Sequence, residues 1–197
     1  PLGAGLALAA NAVNAFHEIG IRDEVLEAGK ILKVLRIKDE AGRILTETDA
    51  EKIMAKFGVI NNFTIHRADL HAVLIRQLYP DTLCLNKRCV DWEHQGDGVL
   101  LKFADDTYVL ADHVIACDGI HSAIRKKLLP EVKPRYAGYT CWRGVTDVVV
   151  AQTDPDETSE TWGVGSRFGI VPLTHNRIYW FACLNAPENN PEMKRFR

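Results

Sequence analysis

Apolar positions recur at helical spacing near the start of the chain. Leu6, Ala10, Val13 and Phe16 lie in an Ala-rich run that stops at Gly20, which predicts a helix packed closely through small residues and ended by a left-handed glycine. A short helical turn ending at Gly29 follows. Residues 31–48 then alternate apolar and polar side chains around Glu40-Ala41-Gly42, the pattern of a hairpin. Residues 49–57 read as a weak helix. Residues 61–80 read as a short strand and then a helix with Leu70, Val73, Leu74 and Leu78 on one face, closed by Pro80.

From Thr82 the pattern changes to short strands, TLCLN, RCVDWEH, GVLLKF and TYVLADHVIA, separated by turn residues at Asn86-Lys87, Gln95-Gly96-Asp97 and Ala104-Asp105-Asp106. The last of these runs is bounded by Asp118-Gly119, and its apolar character predicts a strand central in a sheet. A helix over 120–129 follows, ended by Pro130. After Tyr136 three more strand-rich runs appear, YAGYTCWRGVTDVVV, ETWGVGSRFGIVPL and RIYWFACLNA. The expected class is α/β (α+β): one layer of helices around a parallel-type strand, interleaved in sequence with a second, β-rich region. The boundaries implied are 1–30 with 61–133 for the first part, and 31–60 with 134–197 for the second.

Composition narrows the function classes. The chain has 197 residues, 47% hydrophobic and 25% charged, with a formal net charge of -2, so it can bury a sizeable core and lacks the basic balance of a nucleic-acid binder. No apolar run approaches the roughly 20 residues of a membrane helix, and no secretory signal pattern is present. A cytoplasmic protein without stable membrane insertion is the expectation. The five cysteines, Cys84, Cys89, Cys117, Cys141 and Cys183, have no CxxC spacing and read as buried free thiols. The histidines lack metal-ligand spacing: His66 and His71 are five apart across a strand-to-helix junction, so no metal is expected. The chain opens with PLGAGLALAANAVNAF and stops after the linker-like APENNPEM, the expectation being a piece of a longer chain.

The stretch IACDGIHSAIR, residues 115–125, carries the most chemistry. A strand running through Asp118-Gly119 into a helix with Ser122 and Arg125 directs backbone N–H groups, a carboxylate and a guanidinium at one point, a geometry suited to a phosphate or ribityl group. A plain strand-to-helix turn with Asp118 as the cap is the alternative. Asp118, His121 and Ser122 are too close in sequence to align as a hydrolase triad.

Four stretches then resemble the single-component FAD-dependent monooxygenases related to para-hydroxybenzoate hydroxylase, near the salicylate hydroxylase and zeaxanthin epoxidase branches. They are GAGLALAANAV, HRADLHAVL, FADDTYVLADHVIACDGIHSAIR and YTCWRGV with its downstream strands. The opening Gly-x-Gly-x-x-Gly strand and the later Gly-Asp motif of that family are absent, and Cys117 stands where a small residue is more usual. The resemblance implies a partial FAD/NAD(P)-binding Rossmann-like domain interleaved with a β-sheet substrate domain, the central part of such an enzyme.

By that resemblance, Gly3, Ala4, Gly5, Arg67, Asp118, Gly119 and Arg125 bind the cofactor FAD. Arg125 also serves NAD(P)H, the co-substrate, unless it is a surface cation paired with Glu131. Trp142, Arg143, Pro172 and Leu173 line the substrate side, unless they are ordinary core. No catalytic residue is demanded, because the resemblance implies that NAD(P)H and O2 act through a flavin C4a-hydroperoxide to hydroxylate or epoxidise an apolar, aromatic small molecule. Two other readings stand beside it: a non-catalytic binding fragment, and an FAD-dependent reductase or halogenase of the same fold. For the isolated chain, weak FAD binding and self-association are expected.

Overall fold

The computed structural model describes residues 3–147 and 153–194. In chain order the elements are β1 (Gly5–Leu8), α1 (Ala10–Glu18), α2 (Arg22–Ala28), β2 (Lys30–Ile31), β3 (Val34–Asp39), β4 (Ile44–Asp49), α3 (Ala50–Phe57), β5 (Phe63–His66), α4 (Arg67–Arg76), β6 (Cys89–Gln95), β7 (Gly98–Phe103), β8 (Tyr108–Ala111), α5 (Ala123–Leu128), β9 (Tyr139–Thr146), β10 (Glu157–Gly163), β11 (Ser166–Pro172), β12 (Ile178–Asn185) and α6 (Pro191–Lys194). They fall into two compact units, residues 1–77 with 138–197, and residues 78–137.

The first unit holds two sheets. In the smaller, of order β1-β5-β2, both pairings are antiparallel. Residues 5–8, predicted as the start of a helix, instead pair with residues 63–66. Every residue of β5 is buried, and pairing along so shielded a strand outweighs the helical preference of an Ala-rich run. The helix begins at Ala10 and ends as its spacing requires, with Gly20 at φ 74°. Val13, Val25, Ile60, Phe63, Ile65 and Val73 form the core under this layer.

The larger sheet has six strands in the order β4-β3-β10-β11-β12-β9. The hairpin over 31–48 is present as β3 and β4, followed by α3, whose Asp49 cap accepts a hydrogen bond from Lys52 N–H at 3.0 Å. The run ETWGVGSRFGIVPL is not one strand: it spans most of the β10–β11 hairpin, turning at Gly165 with φ 70°. The one parallel pairing among the described residues joins β3 to β10. The predicted extension of the 136–150 strand through 148–150 lies outside the described residues.

The second unit is the antiparallel meander β6-β7-β8 with α5 packed on β6. Gly96 and Asp106 occupy left-handed conformations, φ 60° and 59°, at the predicted turns. Residues 82–86 form no strand, because Asp81 and Asn86 both turn left-handed, φ 63° and 62°, at the ends of the run. The long strand expected over 107–116 stops at Ala111: residues 113–118 join no ladder, and Ile115 is 88% exposed. Its apolar character reads as centrality in a sheet, yet β8 is an edge strand here. Helix α4 ends at Arg76, ahead of Pro80, in keeping with the aversion of residues before proline to helical geometry.

Candidate functional site

In the first unit the site residues are assembled at the end of β5. His66 is buried, and its Nδ1 accepts a hydrogen bond from Ala68 N–H at 3.3 Å, so the imidazole caps α4. Arg67 N–H donates to Ala4 O at 2.9 Å, bringing the Gly3–Gly5 segment against the start of that helix. Gly3 and Gly5 are there for space. A Cβ on Gly3 would lie 2.4 Å from the His66 ring, and one on Gly5 would lie 2.5 Å from Tyr179 Cβ. The Arg67 side chain is exposed at this corner.

The larger sheet presents one face to Gly5 through Tyr179. Side chains alternate along a strand, so the register places Arg143, Tyr179, Phe181, Arg167 and Gly169 together on that face. The Phe181 ring covers Gly169, where a Cβ would be 2.1 Å away. Tyr179 and Phe181 have ring centroids 5.9 Å apart, and the Arg167 guanidinium lies 6.0 Å from the Phe181 centroid. Burial pushes the Tyr179 phenol up, while the Arg143 charge and hydrogen bond oppose that rise.

Trp142 precedes Arg143 in the same strand and therefore points to the opposite face, alongside Trp180 and Phe168, whose rings stack with centroids 6.2 Å apart. Of the adjacent pair, Arg143 is the one on the Gly5 side. Pro172 and Leu173 are both buried, and Thr64 Oγ1 donates to Pro172 O at 2.7 Å, tying the two sheets together. Close by, Arg177 Nη2 donates to Asp69 Oδ2 at 2.5 Å. Sequence reasoning passed over Tyr179 and Arg167, because only the register between β9, β12 and β11 puts them on the face of Arg143.

Asp118, Gly119 and Arg125 belong to the second unit. Asp118 Oδ2 accepts from Ala123 N–H at 3.0 Å, and Ser122 Oγ accepts from Arg125 N–H at 3.0 Å, so these two side chains cap α5. The Ser122 hydroxyl is also the main reason the Asp118 carboxyl stays below the usual carboxylate range. Gly119 adopts φ 83° with open space where a Cβ would stand, so its role is conformational. Arg125 Nη2 donates to Ile120 O, and its Nε is buried without a partner. Beside the turn an open groove of about 850 Å3 is lined by Lys87, Arg88, Lys126, Lys127, His121 and Asp118, among others.

Among the described residues there is no cluster of three or more His, Cys, Asp or Glu placed to hold a metal ion, and no helix long and apolar enough to cross a membrane.

No protein-family model matches the chain. It is similar to aurachin C monooxygenase/isomerase of Stigmatella aurantiaca, 37% identical over 187 residues that make up 95% of this chain and 48% of that protein. It is 28% identical to the FAD-dependent urate hydroxylase of Klebsiella pneumoniae, over 95% of this chain and 49% of that protein. Among solved structures, Klebsiella pneumoniae HpxO complexed with FAD and uric acid superposes with a TM-score of 0.85 at 26% identity, covering 97% of this chain and 49% of that one. A salicylate hydroxylase substrate complex, at 23% identity and a TM-score of 0.76, shares the fold. The chain spans about half the length of the curated relatives it matches. Its homologues are FAD-dependent monooxygenases, and nearly the whole chain corresponds to one half of such an enzyme.

Proposed function

We propose that this chain is the central part of an FAD-dependent monooxygenase that uses NAD(P)H and O2 to hydroxylate or epoxidise an apolar, aromatic small molecule. The observation that carries this reading is the corner where Gly3, Ala4, Gly5 and Arg67 meet the face bearing Arg143, Tyr179 and Phe181. Kinship to aromatic hydroxylases supports it. In the same reading, residues 1–30 with 61–133 serve the cofactor, and residues 31–60 with 134–197 serve the substrate.

The residues present fit FAD. Side-chain-free backbone at Gly3 and Gly5 lets His66 and Tyr179 close against the segment that leads to Arg67. The exposed Arg67 fork suits phosphate or ribityl oxygens. Within the second unit, Asp118 and Gly119 set the turn that carries Arg125, whose buried Nε lacks an acceptor. When bound, the flavin supplies the hydride-accepting and oxygen-activating chemistry. The chain's own work is different. The aromatic pair Tyr179–Phe181 provides an apolar wall that excludes water. Arg143 stands on the same face as this wall, and Arg167 beside it is paired with Glu160 at 3.1 Å. His66 holds the N-terminus of α4, and thereby Arg67, in place.

Titrating the complete protein with FAD and following NAD(P)H consumption with candidate aromatic substrates tests the assignment. Arg67→Ala is expected to weaken FAD binding by roughly tenfold or more, the worth of one charge-assisted hydrogen bond. A complete protein that binds no flavin would overturn the reading. Consumption of NAD(P)H that is indifferent to every aromatic substrate favours the reductase alternative.

A further inference from the structure

Cys141 and Cys183 stand directly opposite one another on the neighbouring strands β9 and β12. The hydrogen bonds on either side identify the kind of pair they form. Asn185 N–H donates to Gly165 O on the β11 side, whereas Ala186 N–H donates to Gly138 O on the β9 side. Backbone direction alternates along a strand, so Cys183, two residues before Asn185, also turns its amide toward β11. Its pairing with Cys141 is therefore of the non-hydrogen-bonded type, in which Cα atoms lie about 4.5 Å apart and side chains approach most closely. A disulfide needs Cα atoms about 4.4–6.8 Å apart. Both thiols are free, and the Cys141 Sγ donates to Trp142 O at 3.5 Å.

We propose that Cys141 and Cys183 form a reversible cross-strand disulfide when the protein meets hydrogen peroxide. Cys141, half-buried, is the accessible partner, and Cys183, 7% exposed, is the resolving one. The Cys141 thiolate attacks the peroxide O–O bond, giving a sulfenic acid and water. The Cys183 sulfur then attacks the sulfenic sulfur, forming the S–S bond and releasing a second water. Two thiols lose two hydrogens and two electrons, and one peroxide becomes two waters. Cys183 lines a cavity of about 300 Å3 with Tyr139, Trp162 and Arg167. Burial pushes the Cys141 thiol up, an effect the Cys183 thiol adds to and the nearby Arg143 and Arg167 charges oppose. The bridge would staple β9 to β12 on the same face as Arg143 and Tyr179, and it does not depend on the flavin assignment.

The test uses the complete protein with Cys84→Ser, Cys89→Ser and Cys117→Ser, so that Cys141 and Cys183 are the only cysteines of this chain left. After hydrogen peroxide treatment the expected product has lost two hydrogens, has no thiol of this chain reactive to a maleimide, and yields in a digest without reductant one peptide pair joining the two cysteines. Dithiothreitol restores both thiols, and Cys141→Ser or Cys183→Ser abolishes the product. The same peptide pair is expected from the unsubstituted protein, which covers the case of variants that fold poorly. Oxygen addition to Cys141 with Cys183 still titratable would overturn the proposal, as would Cys141 and Cys183 staying unreacted in the unsubstituted protein at peroxide levels that oxidise its exposed Cys84.

Discussion

Phe63, Ile65 and Leu32 of the first unit are wholly shielded from solvent, whereas Val109, Leu110 and Ile115 of the second unit stand on its surface. Every buried hydrophobic side chain among the described residues belongs to the first unit, and Ser122 is the one buried residue of the second. The two units draw on similar strand-forming residues, so the difference lies in layering. A sheet buries its apolar face only against another layer. The first unit has helices over β1-β5-β2 and a six-stranded sheet tied to β5 through Thr64 and Pro172. The second has three strands and the six-residue α5. Apolar sequence is thus a condition for a core but does not by itself create one.

The strongest way to break this contrast is to remove one large apolar side chain from each region. Phe63→Ala is expected to cost about 3–5 kcal/mol of unfolding free energy, whereas Leu110→Ala, at a residue 59% exposed, is expected to change it by about 0.5 kcal/mol or less. Urea unfolding with hydrogen exchange read out by segment distinguishes the two, and equal losses would erase the contrast.

A smaller effect is expected where the smaller sheet meets the larger. Gly5→Ala places a Cβ 2.5 Å from Tyr179 Cβ and Cγ, an overpacking worth about 1–3 kcal/mol. If the ring is displaced toward water, the Tyr179 phenol should titrate closer to its ordinary value, because burial is the main cause of its rise. Unchanged stability together with an unchanged phenol titration would show that the contact is loose.

The smallest effect belongs to the surface of the second unit. The Lys87 ammonium and the Thr107 hydroxyl hold Asp105 at about 2, below an unfolded value of roughly 3.9. A carboxylate lowered in this way contributes stability above its unfolded pKa and loses it as the pH falls through its folded one. Asp105→Asn should therefore narrow the stability difference from the parent protein between about pH 4 and pH 2 and leave it constant above about pH 5. A difference that does not vary with pH would remove Asp105 from the account.

Local chemistry was legible wherever a residue acts on its immediate neighbours. Gly20 and Gly96 take the positive φ that their turns demand. Asp49 caps α3, and the alternation around Glu40-Ala41-Gly42 makes the hairpin. Residues 113–118 were misread because a run of Val, Ile and Ala satisfies a strand pattern whether or not a neighbour exists to complete its hydrogen bonds. At the candidate site the residue types were legible and their grouping only in part. Nothing in the order of residues announces that Ala4 meets Arg67, or that Gly5 lies under a tyrosine 174 positions further on.

By itself the sequence determined most of the helices, the hairpin over 31–48, where most turns fall, and the kinship that four short motifs carry, since all of these depend on residues close together along the chain. Tertiary structure alone decided which strands pair, which face of β9 carries Arg143 while Trp142 turns away, and which cysteines stand opposite each other. Those outcomes depend on the register between distant strands, where a slip of one residue moves every side chain to the other face.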